Sequence, residues 1–233
     1  MVSSGLNLME VQYFRRIPIL KISAINKFSL FVLAAIFLLP GCDARWGYVP
    51  PNRQSVSVNR VGTKPGDVGV SADIDKAAAS RKHELATFAQ GCFWHSEEAY
   101  RKIPGVVATA VGYSGGTVTN PSYEQVSSHT TRHAETILVE FDPKVITYRQ
   151  ILADFFNSHD PTTVDRQGPD VGDSYRSVIF YRNPAQKKAA EQTIEQLKIA
   201  KKFSDPIVTQ LVPAAPFYLA EEYHQQYFEK AGN

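Results

Sequence analysis

The chain has 233 residues, 43% of them hydrophobic, which suits one domain with additional segments rather than two large domains. Its formal net charge of +2 is unevenly distributed, because residues 1–41 hold four basic side chains and one acidic side chain. The rest of the chain keeps 21 of the 25 basic and 22 of the 23 acidic residues, which excludes a basic surface for nucleic acid. The 2 cysteines, Cys42 and Cys92, are too few for a disulfide framework, and no Cys/His spacing predicts a metal site.

The first 41 residues are typical of an export signal. An uncharged run of 12 residues, 28–39, follows the basic side chains. It is shorter than the roughly 20 apolar residues that a membrane-spanning helix needs, but it has the length of the apolar part of a secretory signal peptide. Residues 39–42 (LPGC) resemble the cleavage site of a bacterial lipoprotein, although Pro40 is unusual there. The resemblance implies a lipoprotein-like signal peptide over residues 1–41 and lipidation of Cys42.

The residue after the cleavage site suggests a location. Asp43 resembles the inner-membrane retention signal of enteric-type bacteria, so we expect an exported lipoprotein anchored at the inner membrane and facing the periplasm. An uncleaved anchor and a translation start at Met9 are the alternatives. Residues 42–82 hold prolines and glycines but few large apolar side chains, which predicts a flexible tether that packs no core.

The folded domain is expected over residues 83–233. Its predicted strands are 83–90, 106–113, 134–141 and 175–181, with 207–212 a candidate edge strand, and its predicted helices begin at Cys92, Thr147, Asn183 and Ala220. The order βαββαβ predicts an α+β protein with a ferredoxin-like split βαβ core and helices on one face of the sheet. C-terminal helices and long loops, 117–132 and 157–174, are added to this core.

The segment 91–98 (GCFWHSEE) holds the cysteine of the domain. Cys92 is predicted at the first turn of a helix, directly after a strand and a glycine turn. The helix dipole and the unpaired amides at such a position favour the thiolate of a cysteine, whose ordinary pKa is about 8.5. The alternative is an unreactive buried thiol, since free cysteines are among the most buried residues. Glu97 and Glu98 would oppose a thiolate, so residues outside this segment must decide.

Eight short motifs outside and around this segment distinguish between these two interpretations of Cys92. They are 91–94 (GCFW), 112–116 (GYSGG), 120–126 (NPSYEQV), 133–135 (HAE), 156–162 (FNSHDPT), 166–172 (RQGPDVG), 175–177 (YRS) and 220–227 (AEEYHQQY). Together the motifs resemble those of the A-type peptide methionine sulfoxide reductases, over about residues 83–230. Each motif is short, but all of them in the same order are a specific signal.

The resemblance implies a peptide-methionine (S)-S-oxide reductase, which acts on the S epimer of methionine sulfoxide. It implies that Cys92 attacks the sulfoxide sulfur, which leaves methionine and a sulfenic acid on Cys92. Glu135 corresponds to the acid of the family, and its burial on a strand would raise its pKa and keep a proton available. Tyr123 and Tyr175 correspond to two phenols that donate hydrogen bonds to the sulfoxide oxygen. Taken alone, Glu135, Tyr123 or Tyr175 would be interpreted as a surface or core residue, and only their joint occurrence indicates a catalytic site.

Further residues correspond to the substrate pocket of the family. Phe93 and Trp94 are implied to form the apolar pocket for the S-methyl group, since sulfur makes favourable contacts with aromatic rings. Asp170 is implied to hold the substrate through water. His95 stands where a glycine is usual, and a protonated His95 would lower the pKa of Cys92.

Regeneration of the thiol is expected to need a partner. Many relatives have resolving cysteines near the C-terminus, whereas this chain has none there, and Cys42 is expected to be acylated. We therefore expect a one-cysteine cycle in which a thioredoxin-like protein or a small thiol reduces the sulfenic acid on Cys92. No cofactor and no metal are expected, and a monomer is expected to act on oxidised proteins or free methionine sulfoxide.

Other functions are compatible with Cys92 alone. A thiol peroxidase or redox sensor also uses an exposed cysteine, but it has no need of Glu135 and two tyrosines. A Cys–His hydrolase needs an oriented histidine, and no histidine is marked for that role. A lipoprotein that only binds oxidised proteins would not need a nucleophile. His129 and His133 are predicted to be structural histidines rather than metal ligands.

Overall fold

The computed structural model describes residues 59–60 and 71–232, with side chains from residue 74 onwards. The predicted signal peptide, the predicted lipidation of Cys42 and most of the predicted tether lie outside these residues, and they stay predictions. Within the described residues, no helix is both long enough and apolar enough to cross a membrane.

Nine strands and six α-helices make up the described part of the chain. The strands are β1 Asn59–Arg60, β2 Glu84–Gln90, β3 Val106–Ser114, β4 Ala134–Phe141, β5 Arg166–Gln167, β6 Asp170–Val171, β7 Ser177–Tyr181, β8 Gln210–Pro213 and β9 Phe217–Leu219. The helices are α1 Ser71–Ser80, α2 Phe93–Arg101, α3 Tyr123–Ser127, α4 Tyr148–Ser158, α5 Pro184–Ile199 and α6 Tyr227–Lys230, with 3₁₀ turns at Asp173–Tyr175 and Glu222–His224.

The central sheet has the predicted ferredoxin-like arrangement. Its strand order is β1-β3-β4-β2-β7-β8, with β9 also paired to β3. The four middle strands are antiparallel neighbours, and α2 and α4 connect them in the order βαββαβ. Strand β4 therefore lies between β2 and β3, which is the split βαβ pattern. The prediction of an α+β fold with this core is confirmed.

Both faces of the sheet are covered, because its central strands alternate apolar side chains between two clusters. The larger cluster combines sheet residues such as Phe88 and Ile137 with α2, α4 and α5. The smaller cluster includes Leu85 and Leu138 from the opposite face. The expectation of helices on one face is therefore wrong in part, since α1 packs on the other face.

Helix α1 corrects the predicted tether. Ile74 and Ala78 are each only 2% exposed, and they pack in the smaller cluster on the sheet. They lie four residues apart and therefore on the same face of the helix. These two apolar side chains are enough to dock that face on the sheet. Directly after α1, Arg81 donates two hydrogen bonds to the buried carboxylate of Glu140, at 2.8 and 2.7 Å. Residues 71–82 thus belong to the folded domain.

The C-terminal helix and the long loops also differ from the predictions. Instead of one helix over 220–230, the chain forms a 3₁₀ turn and the four-residue α6. The break is at Gln226, whose φ of +55° is left-handed and whose N–H donates to Glu97 at 2.6 Å. The 117–132 loop contains α3, with a capping box between Ser122 and Gln125. The 157–174 loop contains the β5–β6 hairpin.

Candidate active site

Cys92 lies where β2 passes into α2. Gly91 makes this turn with a φ of +91°, and a Cβ there would lie 2.5 Å from Cγ of Gln167, so only glycine fits. Cys92 is the N-cap residue of α2 and its thiol is partly buried. The backbone N–H groups of Trp94 and His95 act on the sulfur and favour its thiolate. The predicted position at a helix start is therefore the observed one.

The predicted electrostatic consequence is not observed. The pKa of Cys92 is raised to about 11, first because burial disfavours the charged form and then because the carboxylate of Glu135 repels a second negative charge. These two effects outweigh the helix N–H groups. The thiol of the free protein is therefore protonated at neutral pH, and the helix start does not by itself make it a thiolate.

Glu135 is a buried carboxyl group near the start of β4. The side chain is 4% exposed, and its Oε2 accepts a hydrogen bond from the N–H of Phe93 at 3.0 Å. Burial raises its pKa to about 7, the N–H of Phe93 opposes this change, and the charge of Asp170 adds to it. The carboxyl therefore holds a proton near neutral pH, as its predicted desolvation implies.

Two phenols and a further carboxylate face the same centre. The pKa values of Tyr123 and Tyr175 are raised, by burial first and then by the charge of Glu135, with contributions from Cys92 and Asp170. Electrostatic effects between side chains weaken with distance, so these shared effects indicate that the groups lie near one another. The structure thus brings together all five polar residues that the motifs singled out, from four separate segments of the chain.

Aromatic rings form one wall of the site. Phe93 is 1% exposed, and its ring centroid lies 5.9 Å from that of Tyr113. Trp94 stacks on Tyr227 with centroids 3.9 Å apart and planes inclined by 8°, and its Nε1 donates to Nδ1 of His224 at 3.0 Å. The ring of His224 lies 5.1 Å from Phe93. Phe93 and Trp94 are thus held rigidly beside Cys92, where a methyl pocket is predicted.

Three residues of the C-terminal motif support the site, and sequence reasoning gave them no role. Glu221 accepts hydrogen bonds from the Tyr113 hydroxyl and from the N–H of Tyr123, both at 2.8 Å. His224 bonds the Trp94 ring. The amide of Gln225 bonds the N–H and the carbonyl of Val111 at 3.0 and 2.8 Å, so the segment is fastened to β3. The resemblance of residues 220–227 to a family motif indicated that this segment matters, but a motif does not show which residues it contacts.

The histidines noted in the sequence have separate surroundings. His95 is exposed and its ring lies 5.1 Å from that of Phe228, so what it brings to Cys92 is its backbone N–H. His133 accepts the N–H of Gly116 at Nδ1 and donates from Nε2 to the carbonyl of Val118, at 3.1 and 2.7 Å. Both nitrogens of His133 are therefore used structurally. Among the described residues, no three His, Cys, Asp or Glu side chains are grouped as a metal site requires.

A thiol beside a protonated carboxyl and two phenols defines a class of site. The thiol can attack an electrophilic atom, and the acid and phenols can stabilise negative charge on an oxygen bonded to that atom. The aromatic wall suits an apolar substituent on the same atom. These features describe a thiol-dependent oxidoreductase whose substrate has an oxygen bonded to a polarisable electrophilic atom that also carries an apolar group.

Comparison with known proteins assigns the family. The sequence model described as Peptide methionine sulfoxide reductase matches residues 84–233. A peptide methionine sulfoxide reductase MsrA of Methanosarcina acetivorans is 60% identical over 149 residues, 64% of this chain and 79% of the relative. One from Geobacter sulfurreducens is 54% identical over 149 residues, 64% of this chain and 92% of the relative. The chain therefore belongs to the peptide methionine sulfoxide reductase family, whose reaction, the reduction of methionine sulfoxide to methionine, it catalyses.

Solved structures agree with this assignment. Reduced Mxr1 from Saccharomyces cerevisiae superposes with a TM-score of 0.61 at 39% identity, covering 65% of this chain and 87% of that one. The methionine sulfoxide reductase A of Corynebacterium diphtheriae gives a TM-score of 0.59 at 32% identity, covering 80% of this chain and 86% of that one. The fold of this chain is therefore the fold of these reductases.

Proposed function

We propose that the domain reduces the S epimer of methionine sulfoxide, in proteins and as the free amino acid, with Cys92 as nucleophile and Glu135 as acid. The observation that carries the proposal is the placement of Glu135. Its buried carboxyl, with a pKa of about 7, bonds the N–H that follows Cys92 and acts electrostatically on the thiol and on both phenols. One acid thus serves the nucleophile and the oxygen-binding groups together.

The proposed first half-reaction transfers one oxygen atom. The sulfur of Cys92 forms a bond to the sulfoxide sulfur while the sulfoxide oxygen takes a proton from Glu135, assisted by hydrogen bonds from Tyr123 and Tyr175. The hydroxyl group then passes to the cysteine sulfur and the bond between the two sulfurs breaks. The products are a thioether and a sulfenic acid on Cys92, so the sulfoxide is reduced by two electrons and the cysteine is oxidised by two.

Cys92 and Glu135 share the proton that the reaction needs. A carboxylate beside a thiol and a carboxylic acid beside a thiolate contain the same number of protons, so the two forms interconvert by one transfer without solvent. Burial is the first cause of the raised pKa of Cys92, and the repulsion by Glu135 that adds to it disappears once Glu135 is protonated. The proton pair therefore makes the nucleophile and the acid available at the same moment.

The surrounding residues are proposed to select the substrate. Phe93 and Trp94 receive the S-methyl group, because their rings are packed against neighbouring aromatic residues and cannot move aside. Asp170 lies within electrostatic reach of Cys92 and Glu135, beside the Gly91 turn that Gln167 covers. It is proposed to orient the polar backbone of the substrate through water.

An external thiol is proposed to return Cys92 to its reduced form. Cys92 is the free cysteine of the described residues, and the sequence holds one more, Cys42. A thiol R–SH attacks the sulfenic acid, which releases water and forms a mixed disulfide, and a second thiol then frees Cys92. A thioredoxin-like protein supplies both thiols in one molecule, whereas a small thiol acts twice. A Cys42–Cys92 disulfide as the main oxidised form in mass spectra would overturn this cycle.

We propose the location and the assembly state from the sequence alone. The predicted signal over residues 1–41 and the predicted lipid on Cys42 would anchor a monomeric enzyme to the inner membrane, facing the periplasm. Metabolic labelling with a radioactive fatty acid tests the anchor. Label that is present in the natural chain and absent from Cys42→Ala supports it, and unlabelled natural chain contradicts it.

Assay of the two epimers of methyl p-tolyl sulfoxide with dithiothreitol tests the proposed function. We expect consumption of the S epimer only, and no activity in Cys92→Ser. A parallel assay with hydrogen peroxide tests the alternative of a thiol peroxidase or redox sensor. Peroxide turnover that exceeds sulfoxide turnover, or equal use of both epimers, would contradict the proposal.

A further inference from the structure

The two phenols of the site lie on different segments of the chain. Tyr123 is the first residue of α3 in the loop between β3 and β4, whereas Tyr175 ends the 3₁₀ turn Asp173–Tyr175 after the β5–β6 hairpin. In the proposed reaction, both phenols must meet one sulfoxide oxygen. Hydrogen-bond geometry tolerates errors of only a few tenths of an ångström, so one loop must be fixed against the other.

His129 spans the gap between these two segments. It is the second residue after the end of α3, where its N–H donates to the carbonyl of Val126 at 2.9 Å and its φ of +59° is left-handed. Its imidazole then lies against Gly172 of the second segment. A Cβ at Gly172 would be 2.1 Å from Cε1 of the imidazole, so the ring occupies the space that a side chain would need there.

The imidazole contacts every residue of the turn that carries the second phenol. Its Nδ1 lies 3.5 Å from Oδ1 of Asp173 and 3.2 Å from Oγ of Ser174, which is 1% exposed. Oδ1 of Asp173 is buried and has no hydrogen-bond partner within the described part of the chain. The ring also meets the ring of Tyr175 edge-on, with centroids 6.2 Å apart and planes inclined by 67°. A single side chain of the first loop thus contacts all three residues of the turn in the second.

We propose that His129 is a positioning residue for the reductase reaction, which fixes the Tyr175 turn relative to the loop that carries Tyr123. The proposal rests on the proposed role of Tyr175 as a donor to the sulfoxide oxygen. His129 acts through that phenol and touches no substrate. It differs from His133, whose two ring nitrogens both bond backbone groups of the same β3–β4 connection.

Two substitutions at this position distinguish the effect of the ring contacts from the effect of the left-handed backbone. His129→Gly accepts the positive φ without strain and removes all contacts to the turn. His129→Asn tolerates the same φ and keeps an N–H donor near the place of Nδ1. We expect kcat/KM to fall about tenfold in His129→Gly, which is within the range of measured couplings between contacting residues. In His129→Asn we expect kcat/KM to be close to that of the natural chain. Thr130→Ala, an exposed change in the same loop, serves as the control and should keep full activity.

A double-mutant cycle distinguishes positioning from general loosening. In a Tyr175→Phe background we expect no further loss from His129→Gly, whereas in a Tyr123→Phe background we expect the full additional loss. Equal losses in all three backgrounds, or wild-type activity of His129→Gly, would overturn the proposal. If Tyr175→Phe itself kept wild-type activity, the proposed role of Tyr175 would fail, and the role of His129 would fail with it. Reduced activity of Tyr175→Phe without coupling overturns the role of His129 alone.

Discussion

The candidate site has two halves that are built differently. Cys92 and Glu135 are positioned by the central sheet, because β2 and β4 are antiparallel neighbours and the end of one strand lies beside the start of the other. Tyr123, Tyr175 and Asp170 come from connecting segments that contain only short helices, turns and a small hairpin. The sheet half sets the chemistry of the sulfur and the acid. The loop half places donors around the substrate and depends on side-chain contacts to hold its shape.

The largest effect is expected in the sheet half. Glu135→Gln removes the acid, so we expect kcat/KM for the sulfoxide to fall about 100-fold to 1,000-fold. The same change removes the negative charge beside the thiol, so the pKa of Cys92 falls and its alkylation by iodoacetamide at pH 9 becomes faster. Steady-state kinetics and alkylation rates thus move in opposite directions.

A matched control lies on the same strand. Glu140 is also buried, at 1% exposed, but it pairs with Arg81 and His83 and is not part of the site. Glu140→Gln should keep reductase activity and leave the alkylation rate unchanged, although it lowers stability. If both glutamate variants lost activity equally, the special role of Glu135 would be contradicted.

Stability should reveal the cost of burying Glu135. The pKa of its carboxyl is about 7 in the folded protein and about 4.5 in the unfolded chain, so the folded state holds the proton more tightly. The contribution of this carboxyl to the free energy of unfolding is therefore most favourable below about pH 4.5, and it declines as the pH rises to about 7. We expect Glu135→Gln to gain about 2 to 3 kcal/mol relative to the natural chain between pH 5 and pH 8, measured by urea unfolding. A constant difference at both pH values would contradict the buried carboxyl.

Smaller losses are expected in the loop half. Tyr123→Phe and Tyr175→Phe each remove one donor to the developing charge on oxygen, so each should lower kcat/KM about tenfold or somewhat more. Tyr148→Phe is the control, because its buried hydroxyl has no hydrogen-bond partner in the described residues and lies in the core. That variant should keep activity. Loss in Tyr148→Phe equal to that in the other two would indicate a general packing effect.

The smallest effect is expected at the support of the first phenol. Glu221→Gln weakens the bonds to the Tyr113 hydroxyl and the Tyr123 N–H but keeps the shape of the side chain. We expect kcat/KM to fall about fivefold, because hydrogen bonds to charged groups contribute about 1 kcal/mol more than those to neutral groups. Glu222→Gln changes the neighbouring half-exposed glutamate and should have no effect. Equal behaviour of the two variants would contradict the support role.

The sheet half was also the half that could be predicted from the sequence. The alternating apolar pattern of 134–141 and the glycine before Cys92 indicate strand, turn and helix directly, because these signals act over a few residues. The pKa of Cys92 could not be predicted in this way, since its direction depends on burial and on a carboxylate 43 residues away in the chain.

The loop half and the chain ends were predicted less well. A five-residue helix such as α3 has too few residues for a periodic pattern, although its Ser122–Gln125 capping box was visible in the sequence. The left-handed Gln226 that interrupts the last helix is stabilised by the distant Glu97, so no local signal marks it. The composition of residues 42–82 does not reveal helix α1, because two small apolar contacts, at Ile74 and Ala78, suffice to dock it.

The shared proton of Cys92 and Glu135 is tested most directly by the pH dependence of a single turnover at low sulfoxide concentration. Its second-order rate constant reports the free enzyme, and external thiols do not enter it. We predict that this constant rises with pH through about 7, where the pair loses its first proton, and is level until Cys92 itself ionises near 11. In Glu135→Gln the step near pH 7 should be absent. A step near pH 7 that persists unchanged in Glu135→Gln, or a natural enzyme without one, would contradict the proton pair.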